Sequence, residues 1–531
     1  MPSLEFDKAT GNAASRWGVS GIRSDGILPY AGWTLGFTIA AVSVFRTIVN
    51  HDVSWLLYVA DRVLNGDRLY VDVIEVNPPL VVILKLPVAW FAREFDFAAA
   101  DLFRALAITW VGLAAVLSWV GSRVFGPDSR GQASFFVLCA AALLLLLPGY
   151  DFAQREHLFA IGFLPYLILS AGRLVEARPP RWLVITVGTT AAMGILLKPH
   201  FALAWVAVEL SLAIWARKPI WYRGEAIVVV AAGVAYAAAL VALFPAYLEL
   251  AALSAPVYGD FQGVSRLTLL WEPRVALAFG AVLTWSLMCR PGGWRNLGRL
   301  MLAPLAMLIA AVLIQGKGWA YHWLPVEVMT ALLVFATVSS RITSAHERLG
   351  SSGIPHGRIM AVSVVLLLVV SSARFAASDR LSRGQSPHSH SLGPVVAALP
   401  AGTPITAFSH AVRVAFPLAT LHDVVWGSRF NSLWLLPGVV ENPTEEAARV
   451  RNYLFGALVE DFETRRPRLL IVDQQPFPGA PPGFEYVGYF SADPRMAEIL
   501  ARYRLLDVVG NFHILIKDPM VPLSQRSAYG S

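Results

Sequence analysis

The chain is poor in charge and nearly free of cysteine. Asp, Glu, Lys and Arg together make up 15% of its 531 residues, against about 25% in ordinary soluble domains. Hydrophobic residues make up 56%. So few charges cannot cover that much apolar surface in water. This excludes a soluble enzyme, a disordered chain and a fibrous protein, and it places the chain in lipid. The two cysteines, Cys139 and Cys289, lie in apolar stretches, which excludes a disulfide framework and a cysteine zinc site. Lysine is scarce as well, six of the 43 basic residues, a skew in line with a GC-rich bacterial genome. No Walker loop, H-E-x-x-H, paired C-x-x-C or Rossmann signature is present, and no internal repeat is visible.

What is present is a series of apolar segments, at 28–49, 79–93, 102–121, 132–149, 156–172, 182–197, 200–216, 225–245, 273–289, 299–315, 323–340 and 358–374. Several fall short of the ~20 residues of a perpendicular span. Residues 1–27 carry Lys8, Arg16 and Arg23 without a cleavage-site pattern and read as a cytoplasmic tail. Five loops are basic: 122–131, 173–181, 217–223, 290–299 and 341–358. All five can be cytoplasmic together, as the positive-inside rule requires. The net charge of +7 is then a matter of membrane orientation and not of nucleic-acid binding. Segments 150–157, 198–200, 246–272, 316–322 and everything after 374 face the other side. So does the first long loop, 50–78, with five acids against Arg62 and Arg68. An even number of spans would return the C-terminus to the inside. The conflict is resolved if 79–93, short and interrupted by Lys85 and Pro87, does not cross.

The expected fold is an all-α polytopic membrane domain of about 11–13 transmembrane helices over 28–374, followed by a linker at 375–396 and an exoplasmic α/β domain at 397–531. Within that domain, strands are expected at Ile405–Phe408, Leu469–Asp473, Phe484–Phe490 and, as a hairpin around Gly510–Asn511, Leu505–Val509 with Phe512–Lys517. Thr444 with Glu445 and Glu446 opens a helix over 444–460. His388 and His390 read as solvated linker.

Polar residues at membrane boundaries need a reason, and four groups collect on the outer side. One is His51–Asp52, followed by Trp55, Tyr58, Tyr70, Asp72 and Asn77. The others are Asp151-Phe-Ala-Gln154-Arg155-Glu156-His157, Lys198-Pro199-His200, and Gln315-Gly-Lys317-Gly-Trp319-Ala-Tyr321-His322. Each of the last three sets a cation (Arg155, Lys198, Lys317) beside a histidine (His157, His200, His322) at the outer end of a span. Together they suit a phosphate held at the lipid surface. For any one of them, snorkelling to the interface explains the cation equally well. Glu75 reads as a solvated loop charge. Ser409–His410 and His422–Asp423 lack a nucleophile context and read as domain surface or acceptor contacts.

The run HDVSWLLYVADRVLNGDRLYVDVIEVNPPL at 51–80 resembles the first exoplasmic loop of the GT-C superfamily of membrane glycosyltransferases. There an Asp shortly after the first span precedes a G-x-x-x-Y segment and then Asn/His-Pro-Pro, here Asp52, Gly66 to Tyr70 and Asn77–Pro78–Pro79. The runs DFAQREH, LLKPHF and GKGWAYH resemble those of bacterial, polyprenyl-phosphate-sugar-dependent members. The resemblance covers most of 25–375. It implies a sugar on polyprenyl phosphate as donor, a hydroxyl on lipid, glycan or protein as acceptor, and an active site facing the periplasm from a bacterial inner membrane. By carry-over Asp52 is the general base; His51 beside it is a further catalytic candidate, and Tyr58, Tyr70, Asp72, Asn77 and Tyr321 are candidate substrate contacts. Some members hold a divalent metal through carboxylates, for which Asp52, Asp151 and Glu156 are the candidates. Asp151 and Glu156 bracket Arg155 where many members show a separate acid. A polytopic transporter or lipid flippase is the alternative class.

Overall fold

The computed structural model describes residues 27–125, 129–216, 223–258, 263–349, 387–441 and 444–518. The expected span at 358–374, most of the tail and the first part of the linker lie outside the described residues. The chain forms two units. One contains the chain up to Thr47 with Asp101–Ala239 and Ser265–Asp379, and the other contains Ile48–Ala100, Leu240–Val264 and Arg380–Ser531.

The first unit is a bundle of apolar helices in an integral membrane protein. Among the described residues of the chain, five helical segments are long and apolar enough to cross a bilayer: Ala99–Phe125, Gly224–Leu243, Arg266–Met288, Gly293–Gln315 and Ala320–Arg341. Shorter apolar helices, such as Arg181–Ile195 and Phe201–Ala216, lie among them. The helix Arg155–Arg173 is buried along almost its whole length and forms the middle of the bundle. Glycine lets its neighbour close in. A Cβ on Gly162 would lie 2.3 Å from the Thr190 carbonyl oxygen of Arg181–Ile195, the small-residue contact that packs helices in lipid.

This unit has two polar ends. The helix Arg155–Arg173 has 19 residues and spans about 28 Å at 1.5 Å per residue. At its C-terminal end, the Arg173 guanidinium pairs with Glu225 at 2.7 Å. Nearby loops close on one another there: Arg223 meets Glu209 at 2.5 Å, Arg299 sits over the Trp215 ring at 4.2 Å, and the Arg290 N–H donates to Ser340 Oγ. The described parts of the basic loops therefore gather at one end, and the cation–histidine groups gather at the other.

The second unit carries a five-stranded sheet of order β2-β1-β3-β5-β4, with β1 Pro404–Phe408, β2 Val425–Trp426, β3 Leu469–Asp473, β4 Tyr503–Val509 and β5 Phe512–Lys517. Strand β1 pairs parallel with β2 and β3, and β5 runs antiparallel to β3 and β4. The unbroken apolar run of β3 is buried at every position, as suits a central strand covered on both faces. Gly510, at φ 58°, makes the expected hairpin turn between β4 and β5. The helix Glu445–Thr464 begins as expected, with Thr444 accepting from the Ala447 N–H.

Two elements differ from expectation. Phe484–Phe490 is not a strand. A helix, Tyr486–Phe490, replaces it and buries Tyr486 and Phe490 one turn apart. The aromatic run has strand propensity, but burial at i and i+4 decides the period. Part of the expected linker is likewise a helix, Pro387–Ala397, because Leu392 and Val396, also one turn apart, are buried. The stretch 79–93 forms two short helices, Leu80–Ile83 and Leu86–Phe95, neither of them long enough to cross.

Candidate active site

The candidate residues fall in both units. In the sheet-bearing unit, His51 and Asp52 open the helix His51–Leu64, whose N-cap Asn50 accepts from the Asp52 N–H at 2.8 Å. A side-chain acceptor at this position satisfies a backbone donor that the helix leaves open. The Asp52 carboxylate thus stands at a positive helix end, 3.7 Å from His51 Nε2, and both side chains are partly exposed. A carboxylate so placed is held in position yet remains reachable.

The rest of the first loop is committed to internal bonds. Glu75 is not solvated. It is 2% exposed and accepts from Trp55 Nε1 at 2.6 Å and from the Asn77 N–H at 2.8 Å. A buried carboxylate must be hydrogen-bonded, and the folding of the loop over Trp55 supplies the donors. The Asn77 side chain also bonds Glu75. Tyr70 donates to the Asn77 carbonyl at 2.7 Å. Asp72 is bound by its neighbour Arg68 through side chain and backbone at 2.8 Å, and these bonds hold its carboxyl down at about 2. The hydroxyl of Tyr58 lies against the Trp426 backbone. Lys85 is fully buried and donates to the Val81 carbonyl at 3.1 Å. In the sequence it served only to argue against a crossing.

In the sheet domain, Ser409 is buried rather than surface and donates to Asp473 at 2.8 Å. His410 approaches Tyr486 Oη at 3.1 Å, and burial holds its imidazole below the ordinary value.

In the helical unit, Arg155, Lys198 and Lys317 come together with His200 and His322. Glu156 and Lys198 form a buried pair at 2.5 Å. The Lys198 ammonium also sits 5.3 Å from the Tyr321 ring centre, within cation–π range. His322 packs edge-on to Tyr321 at 4.6 Å, and the charges of Lys198, Arg155 and Lys317, with His200, all bear on it. Lys317 is buried and flanked by Gly316 and Gly318 at φ 62° and 63°, a backbone path that glycine follows without strain.

Several buried polar atoms in this cluster lack a hydrogen-bond partner among the described residues: Gln154 Nε2, Glu156 Oε2, His322 Nδ1 and Trp323 Nε1. Native proteins rarely leave such atoms idle, so a group of them at one place calls for a ligand or water.

His157 does not join the group. The Ala153 N–H donates to its Nδ1 at 3.0 Å, so the ring proton sits on Nε2 and is donated to the Leu144 carbonyl at 2.7 Å. Both nitrogens are taken by backbone, and the ring packs on Phe152.

Glu156 is bound to Lys198, and among the described residues no cluster of three or more His, Cys, Asp or Glu is placed to hold a metal ion.

No family model and no curated protein matches the sequence. Solved structures do match in fold. ArnT from Cupriavidus metallidurans bound to undecaprenyl phosphate superposes with a TM-score of 0.52 at 15% identity, covering 91% of this chain and 98% of that one. ArnT from the same organism in the apo state gives 0.53 at 13% identity, covering 92% of this chain and 98% of that one. The Archaeoglobus fulgidus oligosaccharyltransferase complex with Zn and sulfate is a looser likeness, with a TM-score of 0.41 at 11% identity over 88% of this chain and 71% of that one. The chain shares its overall fold with the ArnT structures.

Proposed function

We propose that this chain is a membrane glycosyltransferase that moves a sugar from a polyprenyl-phosphate donor to a hydroxyl acceptor, with inversion, on the exoplasmic face of a bacterial inner membrane. The observation that carries this is the cluster around His322. On the fold of an enzyme solved with undecaprenyl phosphate, Arg155, Lys198 and Lys317 collect beside buried polar atoms that lack partners among the described residues. A lipid-linked phosphate supplies the charge that the three cations suit and acceptor oxygens for the Gln154 and Trp323 N–H groups, while Glu156 Oε2, itself an acceptor, suits a sugar hydroxyl of the same donor. The basic loops at the opposite end of the unit support the exoplasmic placement through the positive-inside rule.

The acceptor oxygen attacks the anomeric carbon as the bond from that carbon to the phosphate oxygen breaks. The electron pair leaves with polyprenyl phosphate, whose growing charge the three cations stabilise. The acceptor proton passes to the Asp52 carboxylate. Glu156 fixes the Lys198 ammonium through their ion pair. His200 and His322 stand as supporting donors, and Tyr321 confines the Lys198 ammonium. No metal is assigned a step.

The test is transfer by the purified, lipid-reconstituted chain, offered a panel of polyprenyl-phosphate sugars and read as release of polyprenyl phosphate. Donor-dependent release that Asp52→Asn abolishes supports the reading. Movement of the intact donor across the bilayer without release favours a flippase.

A further inference from the structure

We infer that the sheet domain acts as a clamp on the Asp52 helix, with Tyr58 and Thr420 as positioning residues for the base. The inference deepens the proposed function and rests on Asp52 being that base. The sequence treats residues 397–531 as an appended domain and Tyr58 as a substrate contact, whereas the structure joins them.

The helix His51–Leu64 carries Asp52 in its first turn. Residues 54, 55 and 58 lie on one side of it, and each meets the C-terminal segment. Ser54 Oγ is 2.6 Å from Thr420 Oγ1. The Trp55 ring stands edge-on to Phe416 at 5.0 Å. Tyr58 Oη accepts the N–H of Trp426, in the sheet's edge strand β2, at 3.0 Å. A second tie lies further along the loop. Its backbone bridges to the domain at Ile74 and Phe430, with the Ile74 N–H donating to the Arg429 carbonyl at 2.8 Å, and Arg465 bonds the Asp72 carbonyl.

These contacts begin two residues from Asp52 and end six residues from it, about 9 Å along the axis at 1.5 Å per residue. A slide or rotation of the helix against the domain therefore moves the carboxylate directly. Reaction geometry is steep in distance, and a displacement near 1 Å can cost about a hundredfold. The polar ties are also direction-specific in a way that apolar packing is not. The Trp426 backbone fixes Tyr58 along the helix, and the Thr420 hydroxyl fixes Ser54 one turn earlier. Loss of either tie should lower turnover without weakening donor affinity, because the proposed phosphate cations belong to the other unit.

The test uses the full chain in lipid. Tyr58→Phe, Thr420→Val, Ser54→Ala and the Ser54→Ala/Thr420→Val pair are compared for kcat per folded molecule, donor KM and the pH profile of kcat. Tyr58→Phe keeps the ring and its packing, so it remains informative if Thr420→Val folds poorly. The clamp predicts kcat lower by about five- to fiftyfold, donor KM within about twofold, near wild-type turnover in Thr420→Ser, and a pair no worse than its poorer single member. Wild-type kcat in Tyr58→Phe and Thr420→Val, or losses that vanish once folded protein is counted, overturns it. Asp52→Asn is run alongside. If that variant turns over normally, the base reading falls and the clamp with it. If it is inactive while the hydroxyl variants match wild type, the clamp alone falls.

Discussion

The first loop and the cluster around His322 bury polar groups in opposite ways. In the sheet-bearing unit the loop charges end in internal bonds: Glu75 on Trp55 and Asn77, Asp72 on Arg68, and Arg429 on Asp461 at 3.0 Å. In the helical unit the cluster around His322 leaves Gln154, Glu156, His322 and Trp323 each with a buried atom that lacks a partner among the described residues. Satisfied polar groups hold a shape, whereas unsatisfied ones in a group are prepared for something that arrives. The difference supports the proposal that the helical cluster binds a ligand and that most of the first loop holds Asp52 in place.

The largest effect that can break this comparison is at Asp52. Asp52→Asn keeps the size of the side chain and its place at the helix start but cannot take a proton. Turnover should fall by about 10²–10⁴-fold with insertion and donor affinity unchanged. A fall in donor affinity of the same size would put Asp52 in the phosphate site.

Next come the cations. Neutral replacement of Arg155, Lys198 or Lys317 should each cost about 1.5–3 kcal/mol of donor stabilisation, roughly ten- to over a hundredfold in kcat/KM, whichever acceptor is offered. Lys198→Met should also lower the amount of folded protein, since it strands Glu156 without its buried partner. Adding Glu156→Gln should restore the level and not the activity. Recovery of activity in that double variant would make the pair purely structural.

The two histidines that the sequence treats alike should separate. His157→Leu removes two buried backbone bonds and should destabilise by about 1–3 kcal/mol while turnover per folded molecule stays near wild type. His322→Gln should do the reverse. Thermal unfolding and single-turnover rates on the same preparations check both, and equal behaviour would erase the distinction.

Asp72 should matter least. Its folded carboxyl lies at about 2 and its ordinary value is 3.8. A depressed value adds stability that is present above 3.8 and lost as pH falls through about 2. The pair with Arg68 is largely exposed, so Asp72→Asn should cost less than about 1 kcal/mol at neutral pH, with no loss of donor affinity. A large activity loss with stability unchanged would return Asp72 to the substrate.

The sequence made the convergence of Arg155, Lys198, Lys317, His200 and His322 legible because each stands at the same end of an apolar segment, and hydropathy with loop charge sorts those ends. His157 has the same address and a different role. Its partners are the Ala153 N–H and the Leu144 carbonyl, backbone atoms that carry no side-chain signal. Glu75 reads as solvated for a related reason. Its burial comes from how the first loop folds over Trp55, and spacing does not encode that. Strands β1, β3 and the β4–β5 hairpin could be read from apolar runs and Gly510, whereas Tyr486–Phe490 and Pro387–Ala397 owe their helical form to single buried pairs. The contact of Tyr58 with Trp426, 368 residues away in sequence, leaves no local trace.

The most direct measurement of the division between binding and proton transfer is polyprenyl-phosphate affinity, taken side by side with single-turnover transfer, for Asp52→Asn and Lys317→Met in lipid nanodiscs. The account predicts that Asp52→Asn binds the lipid as wild type does and fails to transfer. It predicts that Lys317→Met binds about tenfold or more weaker. Normal binding by Lys317→Met together with lost binding by Asp52→Asn would contradict it.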